Sequence, residues 1–397
     1  MTTSLGIPSH RTTADADVGI VGLGGIGSAA AYWAGARGAS VVGFERFEFG
    51  HDRGASHDHS RIIRYSYHTP GYVELSRLAY RAWEAVEAES GDELVLRCGG
   101  LDLFPAECAI APDDYRDALD ACAIPYDWLD AAEIRSRWPQ FRIDDDVEGL
   151  FQADGGIAAA ARGVAAHQRL AIEHRVQLHE HARVETIREV DDEVEIVVDG
   201  RATRCGTAII AADAWTNELL AEPLPLTVLR EQVTYFDSPT PDVFAIGRHP
   251  VWIWMDEPSF YGFPTYGECA TKVAQDCGGY PTTANDRNFV PNDRELRRVE
   301  QFARRTFGNA IGTTGPTRTC LYTLTPDRDF VLDRVPGTDH IWVVQGAAHA
   351  YKFASILGRL LVECALDGDC APTFDRSAFA IDRPALTDPA YVANWMV

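Results

Sequence analysis

A chain that runs Val18-Gly19-Ile20-Val21-Gly22-Leu23-Gly24-Gly25-Ile26-Gly27 into Ser28-Ala29-Ala30-Ala31-Tyr32-Trp33 has few folds open to it. Gly22 permits the tight turn out of a buried strand, Gly24 lets backbone N–H groups approach a pyrophosphate, and Gly27 allows the next helix to pack closely on the strand. That helix points its positive N-terminal end at the phosphates. One helix's length later comes Ala39-Ser40-Val41-Val42-Gly43-Phe44-Glu45, a second strand ending in an acid. The Glu45 carboxylate can accept from ribose hydroxyls and would meet a 2′-phosphate with repulsion, so the pattern predicts FAD or NAD rather than NADP.

Whole-chain numbers narrow the rest. With 397 residues, 46% of them hydrophobic, there is room for two domains with substantial cores. The 36 basic against 59 acidic residues, a formal charge of −23, disfavour nucleic acid or an anionic membrane as partner. No apolar run reaches the length of about 18 residues that a membrane span needs. Residues 1–17 form a polar stretch without the apolar core of a signal peptide, so a cytoplasmic location is expected. Nine cysteines and no C-x-x-C point to reduced thiols.

Along the chain, a long irregular stretch over residues 46–60 carries Gly50, Gly54 and three histidines, and loops of that length are commonly functional. His51, His57, Asp58 and His59 have ligand types that suit a transition metal, but no further predicted ligand completes a coordination geometry, so no metal is expected. A helix is predicted over 71–90. Residues 94–138 read as an inserted piece of short strands and an amphipathic helix over 112–122, with Tyr115, Ala118, Leu119 and Cys122 on its buried face. A helix over 158–175 and strands over 176–184, 193–198 and 202–211 return to the nucleotide-binding unit. Aromatic strands over 251–255 and 260–263 suggest a half-buried antiparallel sheet covering the cofactor. Two further apolar strands, over 329–333 and 341–346, precede a helix over 351–366.

Four separated segments then point to one family. Ser60-Arg61-Ile62-Ile63-Arg64, Tyr261-Gly262-Phe263-Pro264 with Lys272, Thr319-Cys320-Leu321-Tyr322-Thr323 and His349-Ala350-Tyr351-Lys352-Phe353 resemble the monomeric sarcosine oxidase and N-methyltryptophan oxidase family, in the family's order. The resemblance implies an α/β (α+β) fold: a glutathione-reductase-like FAD-binding Rossmann domain over 14–90, 146–220 and 318–397, interleaved with an antiparallel-sheet substrate domain over 91–145 and 221–317. It implies a monomer acting on a small-molecule amine and O2. Cys320 matches the cysteine joined to the flavin 8α-methyl group by a thioether, and Ser60 falls in a cofactor-contacting segment. Arg64 and Lys352 match the residues that hold the substrate carboxylate, an arrangement that would fix the reacting C–H near flavin N5. Lys272 matches the lysine that activates oxygen. Arg61 matches a basic residue beside the flavin ring, His349 a histidine near the flavin, and Tyr261 and Tyr322 tyrosines of the substrate pocket.

The departures bear on substrate. Asp276 stands where sarcosine oxidases have an active-site histidine, as in the piperideine-2-carboxylate oxidase of nikkomycin biosynthesis, which this chain resembles in part but which carries tryptophan at the place of His349. A carboxylate there would pair with a substrate amine or accept its proton. Asp213 replaces a glycine usual in the family. Trp252, Trp254, Tyr261 and Tyr351 are expected to shape the pocket. The leading expectation is oxidation of a secondary or cyclic amino acid, with hydride passing to flavin N5 and O2 reduced to hydrogen peroxide. An NAD-dependent dehydrogenase and a non-catalytic flavin-binding or sensing protein stand as alternatives.

Overall fold

The computed structural model describes residues 14–106, 108 and 110–394, so most of the polar opening stretch lies outside the described residues. At the centre of one sheet lies the strand Ala16–Val21, whose Val18 and Ile20 are fully buried. It pairs in parallel with Val41–Phe44 on one side and Arg201–Ile210 on the other. Gln177–His179 extends the sheet in parallel beyond Val41–Phe44, and Ile341–Gln345 pairs in parallel with Arg201–Ile210. Beyond Arg201–Ile210 the sheet is completed by antiparallel strands, Glu193–Val198 and Val184–Val190 along its first half, and Val331–Arg334 outside Ile341–Gln345 along its second. The alanine-rich helix Gly25–Ala36 packs on Ala160–Glu173 and Ala354–Asp367, its small side chains allowing close approach.

A second sheet runs in the order Tyr280–Pro281, Thr227–Phe236, Thr271–Gln275, Phe260–Phe263, Val251–Trp254, Gly100–Phe104, Glu148–Gln152, Asp127–Leu129, with Thr314–Leu324 also paired to Thr227–Phe236. All its pairings are antiparallel except Val251–Trp254 with Gly100–Phe104. A small third sheet joins Ser60–Ile63, Gly156–Ala159 and Val95–Arg97.

Several predicted boundaries move, each for a pairing reason. The helix expected from 158 begins at Ala160 because Gly156–Ala159 is the central strand of the third sheet. The strand expected over 176–184 divides, since Gln177–His179 pairs with Val41–Phe44 while Val184–Val190 pairs with Glu193–Val198. The last helix opens with a 3-10 turn, Ala350–Phe353, before Ala354–Asp367. Two strands sit in the antiparallel sheet across the expected domain boundaries: Glu148–Gln152, and the whole of Thr314–Leu324. A helix that the sequence reading missed, Asp293–Phe307, covers one face of that sheet. Asn292 caps it by accepting from the N–H groups of Arg294 and Glu295, and Val299, Phe302, Ala303 and Phe307 form its buried stripe. Among the described residues no helix is long and apolar enough to cross a membrane.

Candidate active site

The glycine turn has the geometry its spacing requires. Gly22 sits at φ +89°, a conformation L side chains rarely adopt, and a Cβ on Gly27 would stand 1.9 Å from the Gly22 carbonyl oxygen. Gly24 caps the helix Gly25–Ala36 without a side-chain bond. Glu45 accepts from the N–H of Leu23 at 2.9 Å and of Phe47 at 3.1 Å, with His51 Nε2 at 3.3 Å. Burial opposes its ionisation, but His51 and the two N–H groups outweigh it and keep its pKa below the usual carboxylate range. A fixed, ionised acceptor therefore stands at the wall of a cavity of about 480 Å³ that reaches from Gly22, Gly24 and Glu45 to Tyr261, Tyr322 and Lys352.

Strand register explains how residues distant in sequence reach the far end. Cys320 lies opposite Glu231, and Tyr322 opposite Leu229. Lys272 lies opposite both Tyr235 and Phe263, and Ala274 opposite both Val233 and Tyr261. Because alternate residues of a strand share a face, Lys272, Asp276, Tyr261, Cys320 and Tyr322 all belong to one face of the sheet. Tyr261 and Tyr322 are joined hydroxyl to hydroxyl at 3.2 Å. The opposite face carries Trp252, Trp254, Phe260 and Val273 beneath Phe302 of Asp293–Phe307. This corrects the expectation that Trp252 and Trp254 shape the pocket: they are core, and Ile253 between them lines the cavity. Tyr351 does line it, with its hydroxyl on the carbonyls of Ala159 and Ala160.

Behind that wall stands Lys272, 2% exposed, donating to Asp58 at 3.0 Å and to the Ser60 carbonyl at 3.0 Å. Burial lowers its pKa to about 8, with Asp58 opposing the shift and Arg61 adding to it. Asp58 also accepts from Tyr235 and Arg318. His51 turns to Glu45 and His59 to Glu268, so the residues of the metal reading do not converge. Arg61 lines the cavity and donates to the carbonyls of Ala55, His57 and Ser60, pinning that loop. Burial pushes the Cys320 thiol up to about 11, partly offset by Arg61 and Arg287. Ser60, Lys272 and Cys320 stand behind the lining residues rather than among them.

At the inner end, Arg64 donates to Asp102 at 2.9 Å, and Arg328 grips Asp276 through two bonds of 2.6 and 2.9 Å. Lys352 donates to Tyr67 Oη at 2.9 Å and to the His349 carbonyl at 3.3 Å. Burial, with Lys352 and Arg328 nearby, holds His349 well below the usual imidazole range. Its Nε2, 2.9 Å from the Arg328 carbonyl, must carry the proton.

With this geometry in place, comparison with known proteins is decisive. The family model "DAO: FAD dependent oxidoreductase" matches residues 17–364. The chain belongs to the FAD-dependent oxidoreductases. It is 33% identical over 365 residues to a monomeric sarcosine oxidase of Streptomyces avermitilis, covering 89% of this chain and 94% of that protein. It is 28% identical over 373 residues to an N-methyl-L-tryptophan oxidase of Salmonella heidelberg, covering 92% and 98%. Among solved structures, NikD, described as an unusual amino acid oxidase essential for nikkomycin biosynthesis, superposes with a TM-score of 0.82 at 25% identity, covering 92% of this chain and 97% of that one. The NAD-dependent alternative finds no support in these comparisons.

The residues of this FAD-dependent oxidoreductase fit the cofactor its family implies: a glycine cradle that a Cβ would fill, and an ionised acid at the cavity wall beside it. Asp102, Tyr67 and Arg328 escaped the sequence reading, since only the folded chain brings them to Arg64, Lys352 and Asp276. Asp213 lines the cavity at φ +46°, in the left-handed region where glycine is at ease, which supplies a backbone reason for the family's glycine there. Burial raises its carboxyl to about 6.

Proposed function

We propose that this oxidoreductase is an oxidase of an amino acid bearing a secondary or cyclic amine. The observation that carries the reading is a cavity with the dinucleotide cradle at one end and two basic side chains suited to a carboxylate, Arg64 and Lys352, at the other. When bound, FAD supplies the redox chemistry, taking a hydride from the carbon beside the substrate nitrogen and passing the electrons to O2 as hydrogen peroxide.

In this reading the protein binds and orients. Arg64, held by Asp102, and Lys352, held by Tyr67, take the carboxylate and so fix the direction in which the amine points. Asp276, held in place by Arg328, accepts from the substrate nitrogen, and Tyr261 and Tyr322 flank it. Lys272 supplies positive charge where negative charge develops on oxygen, and Arg61 steadies charge on the reduced cofactor. His349, neutral, orders the Arg328 carbonyl. Cys320 carries a covalent thioether to the flavin; its place on the same sheet face as Tyr261 and Tyr322 supports this. The enzyme works as a monomer, in keeping with the names of its relatives. Sheet membership favours placing 148–152 and 314–324 with the substrate domain, and the rest of the expected division stands with it as part of this reading.

The test is an absorption spectrum before and after acid precipitation, followed by a peroxide screen with sarcosine, pipecolate, N-methyl amino acids and cyclic imino acids. Flavin in the pellet that Cys320→Ser moves to the supernatant, with peroxide from at least one substrate, is expected. Full flavin occupancy without reduction by any of these amines would favour the non-catalytic alternative and overturn the oxidase reading.

A further inference from the structure

The charged groups at the inner end of the cavity do not balance in a uniform way. Three basic side chains, Arg64, Arg328 and Lys352, meet two carboxylates, Asp102 and Asp276. Each carboxylate is already gripped by a guanidinium, Asp102 by Arg64 and Asp276 by Arg328. The hydrogen bonds of Lys352 go instead to neutral oxygens, the Tyr67 hydroxyl and the His349 carbonyl. A buried lysine beside two guanidinium groups, with nearby carboxylates committed elsewhere, is stabilised as the free amine.

An amino acid arrives with the opposite need. In water its secondary amine is an ammonium, and hydride loss from the adjacent carbon requires the nitrogen lone pair. Resting on the carboxylate site proposed above, we infer that Lys352 enters the binding step as a neutral amine and takes up the proton that the substrate ammonium gives up. The substrate N–H bond breaks, its electron pair stays on nitrogen, and an Nζ–H bond forms on Lys352. Before transfer the partners are ammonium, carboxylate and neutral lysine; afterwards they are neutral amine, carboxylate and lysine ammonium. Charge is conserved, the carboxylate gains a full ion pair, and the nitrogen is left in its reactive form. Asp276 is suited to receive the ammonium first, and neutral His349 and Tyr67 complete the surroundings. The direction of the Lys352 shift agrees: burial, then Arg64 and Arg328, hold it well below the ordinary lysine range against Asp276 and Asp102.

The experiment is calorimetric titration of the FAD-loaded enzyme at pH 8 with cyclopentanecarboxylate, an anion without nitrogen, in buffers of different protonation enthalpy. Uptake of about one proton per bound anion is expected, because the ligand brings none. Arg328→Met removes a neighbouring cation and should reduce that uptake while the anion still binds; Lys352→Met should abolish it. In anaerobic mixing with a pH indicator, the amino acid that best supports peroxide release should bind without drawing a proton from solvent before the flavin absorbance falls. Anion binding without proton uptake in the wild type, or uptake from solvent with the amino acid, overturns the inference while leaving the carboxylate site intact. Failure of the anion to bind overturns the site and the inference together.

Discussion

Replacement of Gly27 by alanine tests the cradle on which the cofactor assignment depends. The new Cβ would lie 1.9 Å from the Gly22 carbonyl oxygen, 3.0 Å from its carbon and 3.2 Å from the Ala211 side chain. Reaching an ordinary carbon–oxygen contact of about 3.3 Å requires the helix and turn to part by roughly 1.4 Å. No rotamer change can supply this, since the obstacle is backbone, tied by the Gly22 N–H to the Phe44 carbonyl at 2.9 Å. Overpacking of this kind costs about 1–3 kcal/mol, and backbone on the receiving side argues for the upper end. With about 2.1 cal/mol/K of unfolding entropy per residue, a chain of 397 residues loses roughly 4 °C of Tm for ~3 kcal/mol. The same movement displaces N–H groups from the pyrophosphate, so flavin content should fall with Tm. Calorimetry and the ratio of flavin to protein absorbance measure both. Gly71→Ala is the control, because a Cβ there meets nothing within 4 Å, and it should leave both unchanged or raise Tm slightly. A Gly27→Ala protein that melts with the wild type and keeps its full flavin would refute the packing argument.

Other consequences are equally direct. Lys272→Met should slow reoxidation by O2 about 10²-fold or more while sparing anaerobic reduction by substrate; stopped-flow traces of the two half-reactions decide, and equal losses in both would remove Lys272 from oxygen chemistry. Asp276→Asn keeps an acceptor for Arg328 but discards the charge, so turnover should drop about 10²-fold, and unchanged turnover on the best substrate would reduce Asp276 to a structural role. For Asp213 the sign is set by its raised pKa, about 6. The native state holds the proton more tightly than the unfolded chain, so this contribution to stability is full below the unfolded carboxylate pKa and is lost as pH rises through about 6. Asp213→Gly should therefore gain Tm relative to wild type more at pH 8 than at pH 4.5, with relief of the positive φ adding at both; a pH-independent difference would show that only the backbone matters.

From the residues alone, what could be read was what lies close together in the sequence, and the separated segments of the inner site were reached only through the family resemblance. The Gly22 to Glu45 unit is one continuous βαβ element, and each of its residues has a function set by neighbours a turn or a strand away. The inner site is different, because Asp276 and Arg328, or Lys272 and Asp58, meet only through strand register and loop placement. Asp58 shows the difference: among histidines in a loop it offers only a ligand type with no geometry to complete, whereas the fold sends His51 and His59 to other carboxylates and turns the Asp58 carboxylate to Lys272 and Arg318. Trp252 and Trp254 show it in another form. Alternation establishes that they share a face but not which face is buried. That depends on Asp293–Phe307, whose Asn292 cap and apolar stripe at Val299, Phe302, Ala303 and Phe307 are visible in the sequence. Had that helix been recognised, the tryptophan face would have belonged to the core, and Tyr261, on the alternate positions of the neighbouring strand, to the cavity. The three basic side chains at the inner end of the cavity admit no such repair: Arg64, Arg328 and Lys352 lie on separate segments, and nothing local in any of them says that Lys352 will be the one whose hydrogen bonds go to neutral oxygens.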